Sequence, residues 1–486
     1  MMNITYTIVA CLLTLASGCK KEKRVSTADG TYVIPSEKLA AISADDVTIQ
    51  IDPGFAYYQN RSVQSIAEEV KLAGFKAVHY FVVNENQVNG DLIDAFHNEG
   101  MRVWLMTLGN GTYSTAGYPA GWEQWKMGLN NSINGAAGFT FLSPFNTDFV
   151  SWKKRSLVKL MTTYPFDGLE LAEAYFPEWE AIAKGTYGDV GPLAQRAFKT
   201  QYGLDMPNFS DPSAEDYYTK KPEVYQQWVD FRVNAVNQFL NELINGEGGV
   251  RDARPDALVA TWSLAIDAGP KSFEQLREDQ GLDAAAMVSM VKPDVHYFQT
   301  HWPDWVKTEA QLPPDYMRHY QGFVDQLKAV HPNVPIGVQA DIGSAKNMIK
   351  SAFWVREFNK AASQHGYATW TSYEYHLGGY IYTEPPVPKA AKRTDGKSIV
   401  ISFSKRIDSA TGEDPLNFSF SQHQNPVSVT ISSVKVDGNR IMITADDFPA
   451  SSFDIHFKQI EDTPDLWFHK GFSAHQVDAN STITIE

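Results

Sequence analysis

The residues with the clearest chemical content form one stretch, Phe166-Asp167-Gly168-Leu169-Glu170-Leu171-Ala172-Glu173-Ala174-Tyr175-Phe176-Pro177-Glu178-Trp179. It opens as a buried strand and closes in acids and aromatics. Other apolar runs also end in acids, at Asp52, Asp341 and Glu374. Two carboxyl groups across a cleft perform acid–base chemistry. On a glycosidic bond, one donates a proton while the other attacks or activates water. Glu173 and Glu374 are the preferred pair. Glu173 stands beside Tyr175, Phe176 and Trp179, surroundings that raise a carboxyl pKa by desolvation and suit a proton donor. Glu374 lies between Tyr373 and Tyr375, whose hydroxyls would hold it ionised. Asp341 is the reserve nucleophile or base. In an extended strand Glu170 shares a face with Ala172, and Glu173 falls on the other. Glu170 is therefore the inward acid unless the strand ends or bulges by Ala172. The plain alternative for each acid is a salt-bridged residue at a strand mouth.

These groups need a scaffold that gathers strand ends. From Val47, short apolar runs alternate with helical spacing, the pattern of βα units and a parallel sheet. Strands are expected at Val47–Asp52, Ala77–Val83, Arg102–Thr107, the opening stretch, Ala257–Ser263, Val295–Gln299, Ile336–Asp341 and Ala368–His376. Eight strands with seven helical segments between them predict a (β/α)8 TIM barrel over residues 46–384, whose strand C-termini share one mouth. Two long excursions, Gly109–Thr147 and Tyr175–Pro222, follow strands and so belong to that mouth. No full helix follows the eighth strand, and Glu37–Ile42 is a candidate to fill the gap. A linker is expected over residues 385–397. Then the period changes to two, with Ile399, Ile401 and Phe403 on one face. Six or seven short strands without helices predict a smaller all-β sandwich over 398–486. A chain ending near Pro388 is expected to fold without it.

Other residues on or just after strands suit contacts to sugar hydroxyls: Asp52, His79, His296, His301, Gln339 and Tyr375. Trp262, Trp302 and Trp305 suit stacking on sugar faces. No His-x-His falls on the first strand, and no metal or other cofactor is expected.

The chain has 486 residues, 43% hydrophobic and 20% charged, ordinary for a soluble globular protein. A formal net charge of -15 argues against nucleic acid as a partner. The aromatic share, 13%, is high, and many aromatics fall in loops after strands, where core packing does not explain them. At the N-terminus, the apolar run Ile4–Ala16 is too short to span a bilayer as a stable anchor. It ends in Leu15-Ala16-Ser17-Gly18-Cys19, which resembles a bacterial lipoprotein signal, although Ala16 departs from the usual Leu and no Lys or Arg precedes the run. The resemblance implies a signal peptide over 1–18, lipidation at Cys19, a tether over 19–45 and export to a bacterial membrane. A plain cleaved signal is the alternative.

The region Val47–Tyr380 resembles bacterial barrel-type glycoside hydrolases, in architecture more than in motif. This implies a carbohydrate substrate. Asp167-Gly168-Leu169-Glu170 matches the start of the chitinase strand motif, but the later motif positions fall on Ala172 and Ala174, so the chitinase acid is absent in register. The run Ile401–Asp408 followed by Asn417-Phe418 resembles bacterial immunoglobulin-like modules. Two other functions fit the same barrel: a non-catalytic glycan-binding surface lipoprotein, and a phosphosugar lyase or aldolase. Against the latter stand the export signal and the lack of a Schiff-base lysine inside the strands.

Overall fold

The structure is a computed structural model that describes residues 46–177 and 181–486. Cys19, the tether, Glu37–Ile42, Glu178 and Trp179 lie outside these residues.

Eight parallel strands close into a barrel in sequential order. They are β1 (Asp46–Ile51), β2 (Ala77–Phe81), β3 (Arg102–Leu108), β4 (Gly168–Ala172), β5 (Leu258–Leu264), β6 (Val295–Gln299), β7 (Ile336–Asp341) and β8 (Thr369–Tyr373). Every expected strand is present. One difference is in β8, which stops at Tyr373, where Tyr375–Leu377 winds into a tight turn capped by the Glu374 side chain. Helices cover the outside, among them α1 (Val63–Leu72), α2 (Gly90–Asn98), α3 (Thr147–Thr163), α4 (Pro192–Tyr202), α5 (Pro222–Asn245) and α6 (Ala352–Gln364). Side chains satisfy the open N–H groups at their starts: Ser62 caps α1, Asn146 caps α3 and Ser351 caps α6.

The barrel interior is filled rather than open. The His79 ring lies parallel to Trp104 at 5.8 Å. Its Nδ1 meets Glu170 Oε2 at 2.5 Å. Gly168 is small for this reason, since a Cβ there would stand 2.5 Å from the Trp104 ring.

The residues after β8 hold only a short helical turn, Gly379–Tyr382, and the C-terminal domain closes that side. It has two four-stranded antiparallel sheets. One holds β9 (Pro388–Arg393), β10 (Ser398–Phe403), β13 (Ile431–Asp437) and β14 (Arg440–Ala445). The other holds β11 (Phe418–Gln422), β12 (Asn425–Val427), β15 (Phe453–Phe457) and β16 (Thr482–Ile485). The expected linker thus carries strand β9, paired with β10. Ile399, Ile401 and Phe403 face the sandwich core as their alternation predicts. Val400 and Ser402 are buried too, because the other face of β10 docks on the barrel. Ser402 Oγ donates to Glu68 Oε1 of α1 at 2.8 Å, and Arg406 donates to the carbonyls of Tyr57 and Gln59 at 2.7 Å. Trp467 is buried in the barrel's own core cluster, edge-on to Tyr382. These contacts run against the expectation that the barrel is independent of the sandwich.

Candidate active site

Glu173 follows the last residue of β4 and turns at once into the left-handed region, φ 52°, a conformation uncommon outside glycine. This resolves the parity problem. Glu170 is the inward acid and is closed inside the barrel with His79, while Glu173 leaves the strand and reaches the mouth. Two adjoining cavities of about 590 and 280 Å³ share Glu173 and Tyr175 in their walls. The larger is formed by the first excursion, including Tyr113, Phe139 and Phe141. The smaller is lined by Trp262, Gln299 and Trp302. Burial pushes Glu173 up to about 7, so a substantial share of it carries a proton at neutral pH.

Asp341 ends β7. Its Oδ1 accepts the N–H groups of Gly343 at 2.7 Å and Ser344 at 2.8 Å. Burial raises its pKa, and these hydrogen bonds act against the rise. Tyr373 ends β8 in register with Asp341 of β7. Burial, then the charge of Asp341, Tyr113 and Glu173, and last Glu374, push its hydroxyl well above its ordinary value. It remains protonated near neutral pH.

Glu374 is 1% exposed and bound on both oxygens. Oε1 accepts from the Tyr58 hydroxyl at 2.6 Å and the His376 N–H at 3.3 Å, with His376 Nδ1 at 3.0 Å; Oε2 accepts from the Asp52 N–H. The expected tyrosine partners are corrected: the Tyr375 hydroxyl turns away to Glu69 at 3.1 Å, and Tyr58 holds Glu374 instead. Asp52, half-buried beside it, is raised to about 6, mainly by burial, with the Gly54 N–H opposing and the Glu374 charge adding to the rise.

The remaining expected contacts divide. Trp262 and Trp302 line the cleft, and Trp262 Nε1 donates to Gln339 Oε1 at 3.1 Å. Gln339 therefore orients Trp262 from a buried position. His301 lies half-buried next to Trp302, lowered to about 4 chiefly by burial, and is neutral at pH 7. Four contacts are corrected. His79 is sealed in the barrel interior with Glu170. His296 points to the helical layer, bonded to Thr261 and Ser263. Tyr375 is buried against α1. Trp305 is also buried, its Nε1 donating to Thr300. Sequence reasoning missed Tyr58 and Phe55; the signal was the run Phe55-Ala56-Tyr57-Tyr58 directly after the first strand.

The fold and site thus define a TIM-barrel protein with an acid-bearing, aromatic-walled cleft. No family model matches the sequence, and no curated protein matches it. Solved structures similar to the chain include the glycoside hydrolase domain of PelA from Pseudomonas aeruginosa, at 11% identity and TM-score 0.35, over 67% of this chain and 94% of that one. A β-galactosidase from Bacillus circulans sp. alkalophilus is 12% identical with TM-score 0.45, over 68% and 50%. An α-amylase from Lactobacillus plantarum is 13% identical with TM-score 0.38, over 84% and 99%. These scores are low, and function rests on the chemistry of the site.

Proposed function

We propose that this chain is a glycosidase acting on an oligo- or polysaccharide at the barrel mouth, tethered to a bacterial membrane through Cys19. One observation carries the chemistry: Glu173, a carboxyl group that burial pushes up to about 7, stands where two aromatic-walled cavities meet. A proton donor for a leaving alkoxide needs that pKa, and flat apolar walls suit sugar faces. Glu173 is the general acid. Asp341 is favoured as the opposing carboxylate because it ends β7 in register with Tyr373 of β8 and commits Oδ1 to backbone N–H groups. Glu374, bound on both oxygens, then joins the ends of β8 and β1. This reverses the order expected from sequence, in which Asp341 was the reserve.

The test is reducing-end release from defined oligosaccharide ladders by the full chain and by Glu173→Gln, Asp341→Asn and Glu374→Gln. Glu173→Gln and Asp341→Asn should lose several orders of magnitude in turnover with folding intact. Glu374→Gln should lower thermal stability along with activity. If Glu374→Gln alone abolishes turnover in a normally stable protein, Glu374 is the opposing carboxylate. If the wild type binds a ladder without cleaving it, the protein is a glycan-binding lipoprotein.

A further inference from the structure

Single exposed rings are ordinary on a protein surface. Here, among the described residues, the exposed large aromatics gather at one end. Tyr113 (56% exposed) follows β3, Trp302 (49%) follows β6, and Phe468 (49%) comes from the C-terminal domain. Only Phe353, on α6, lies elsewhere. Tyr113 and Trp302 line the two cavities that meet at Glu173. Phe468 stands on another side of the mouth. Its ring is edge-on to Phe55, after β1, at 5.5 Å, and 6.4 Å from His376, after β8.

Phe468 is held out by anchors on both sides. Before it, Trp467 is buried against Tyr382. After it, His469 Nε2 lies 2.6 Å from the carbonyl oxygen of Gly343, in the turn whose N–H groups hold Asp341. Further on, the Lys470 carbonyl accepts from Lys346 Nζ at 3.1 Å. The segment is fixed to the β7 and β8 ends without help from the Phe468 ring, which is left facing solvent beside Phe55.

We infer that the C-terminal domain completes the substrate site: Phe468, braced edge-on by Phe55, stacks its exposed face on a sugar ring of a glycan chain whose scissile bond lies at Glu173. The inference rests on the glycosidase reading and deepens it. Exposed aromatics at separate parts of the mouth, after β3, after β6 and beside the residue run after β1, suit a chain of several sugars. Neither Phe468 nor Phe55 lines the two cavities at Glu173, so a longer chain is what would touch both places.

The experiment uses the full chain with Phe468→Ala and Phe468→Trp. The probes are α- and β-linked hexose and N-acetylhexosamine ladders, from disaccharide to hexasaccharide. On a ladder that the wild type cleaves, Phe468→Ala should raise KM so that kcat/KM for the hexasaccharide falls about tenfold. The loss should shrink as the chain shortens, and Phe468→Trp should restore it. Thermal stability should stay near wild type, whereas Trp467→Ala should lower it. A loss equal at every length, or no loss, overturns the subsite while leaving the glycosidase standing. A wild type that cleaves no ladder overturns both.

Discussion

Glu173→Gln should make the protein more stable, and only at higher pH. Glu173 titrates at about 7 in the folded chain against an ordinary 4.5. The sign follows from proton binding. Between those values the folded chain holds a proton that the unfolded chain has released, so stability falls as pH rises through the window. The interval, at about 1.36 kcal/mol per pH unit, gives an upper value of about 3 kcal/mol. Water in the cavity screens part of it, leaving about 1–3 kcal/mol. Glutamine resembles the protonated acid in shape and charge and does not titrate. The variant should therefore match wild type near about pH 4 and exceed it by about 1–3 kcal/mol near about pH 8. Urea unfolding of the full chains, followed by tryptophan fluorescence across that range, measures the difference. A difference that is flat with pH, or a variant less stable than wild type at the upper end, would refute the desolvated-acid account of Glu173.

Other outcomes follow from the same contacts. In wild type, kcat/KM should fall above about pH 7 as Glu173 loses its proton; a pH–rate profile that stays level to about pH 9 would contradict this. A chain ended before β9 should aggregate or melt well below the full chain, because it loses Trp467 against Tyr382 and Arg406 against the Tyr57 and Gln59 carbonyls; a thermal melt of equal midpoint would show the barrel independent after all. Cys19→Ala should move the protein out of the membrane fraction, and an unchanged fraction would end the lipid-anchor proposal.

The barrel was legible because each strand is a local apolar run set off from a helical pattern by glycine, proline or polar residues. Local signals carry that far. They did not carry the role of Glu374, whose partners Asp52 and Tyr58 lie more than 300 residues away in sequence and meet it only when β8 closes on β1. Nor did they separate His79, His296 and His301, which sit on or just after strands. One is sealed in the barrel, one faces the helices and one reaches the mouth. Strand parity correctly marked Glu170 as inward but could not show that the chain turns left-handed at Glu173. The sandwich was legible from its two-residue period. Its docking was visible only in hindsight, in the apolar Val400 on the face that alternation assigns to solvent.

The central claim is that Glu173 donates the proton to the leaving group. The most direct measurement compares Glu173→Gln with wild type on glycosides of one sugar that differ in leaving-group acidity. Protonation matters for a poor leaving group and little for a good one. The variant should lose several orders of magnitude on an alkyl or sugar leaving group and far less on a nitrophenol. An equal loss on both would assign Glu173 to binding or structure, and an unchanged rate on both would remove it from the mechanism.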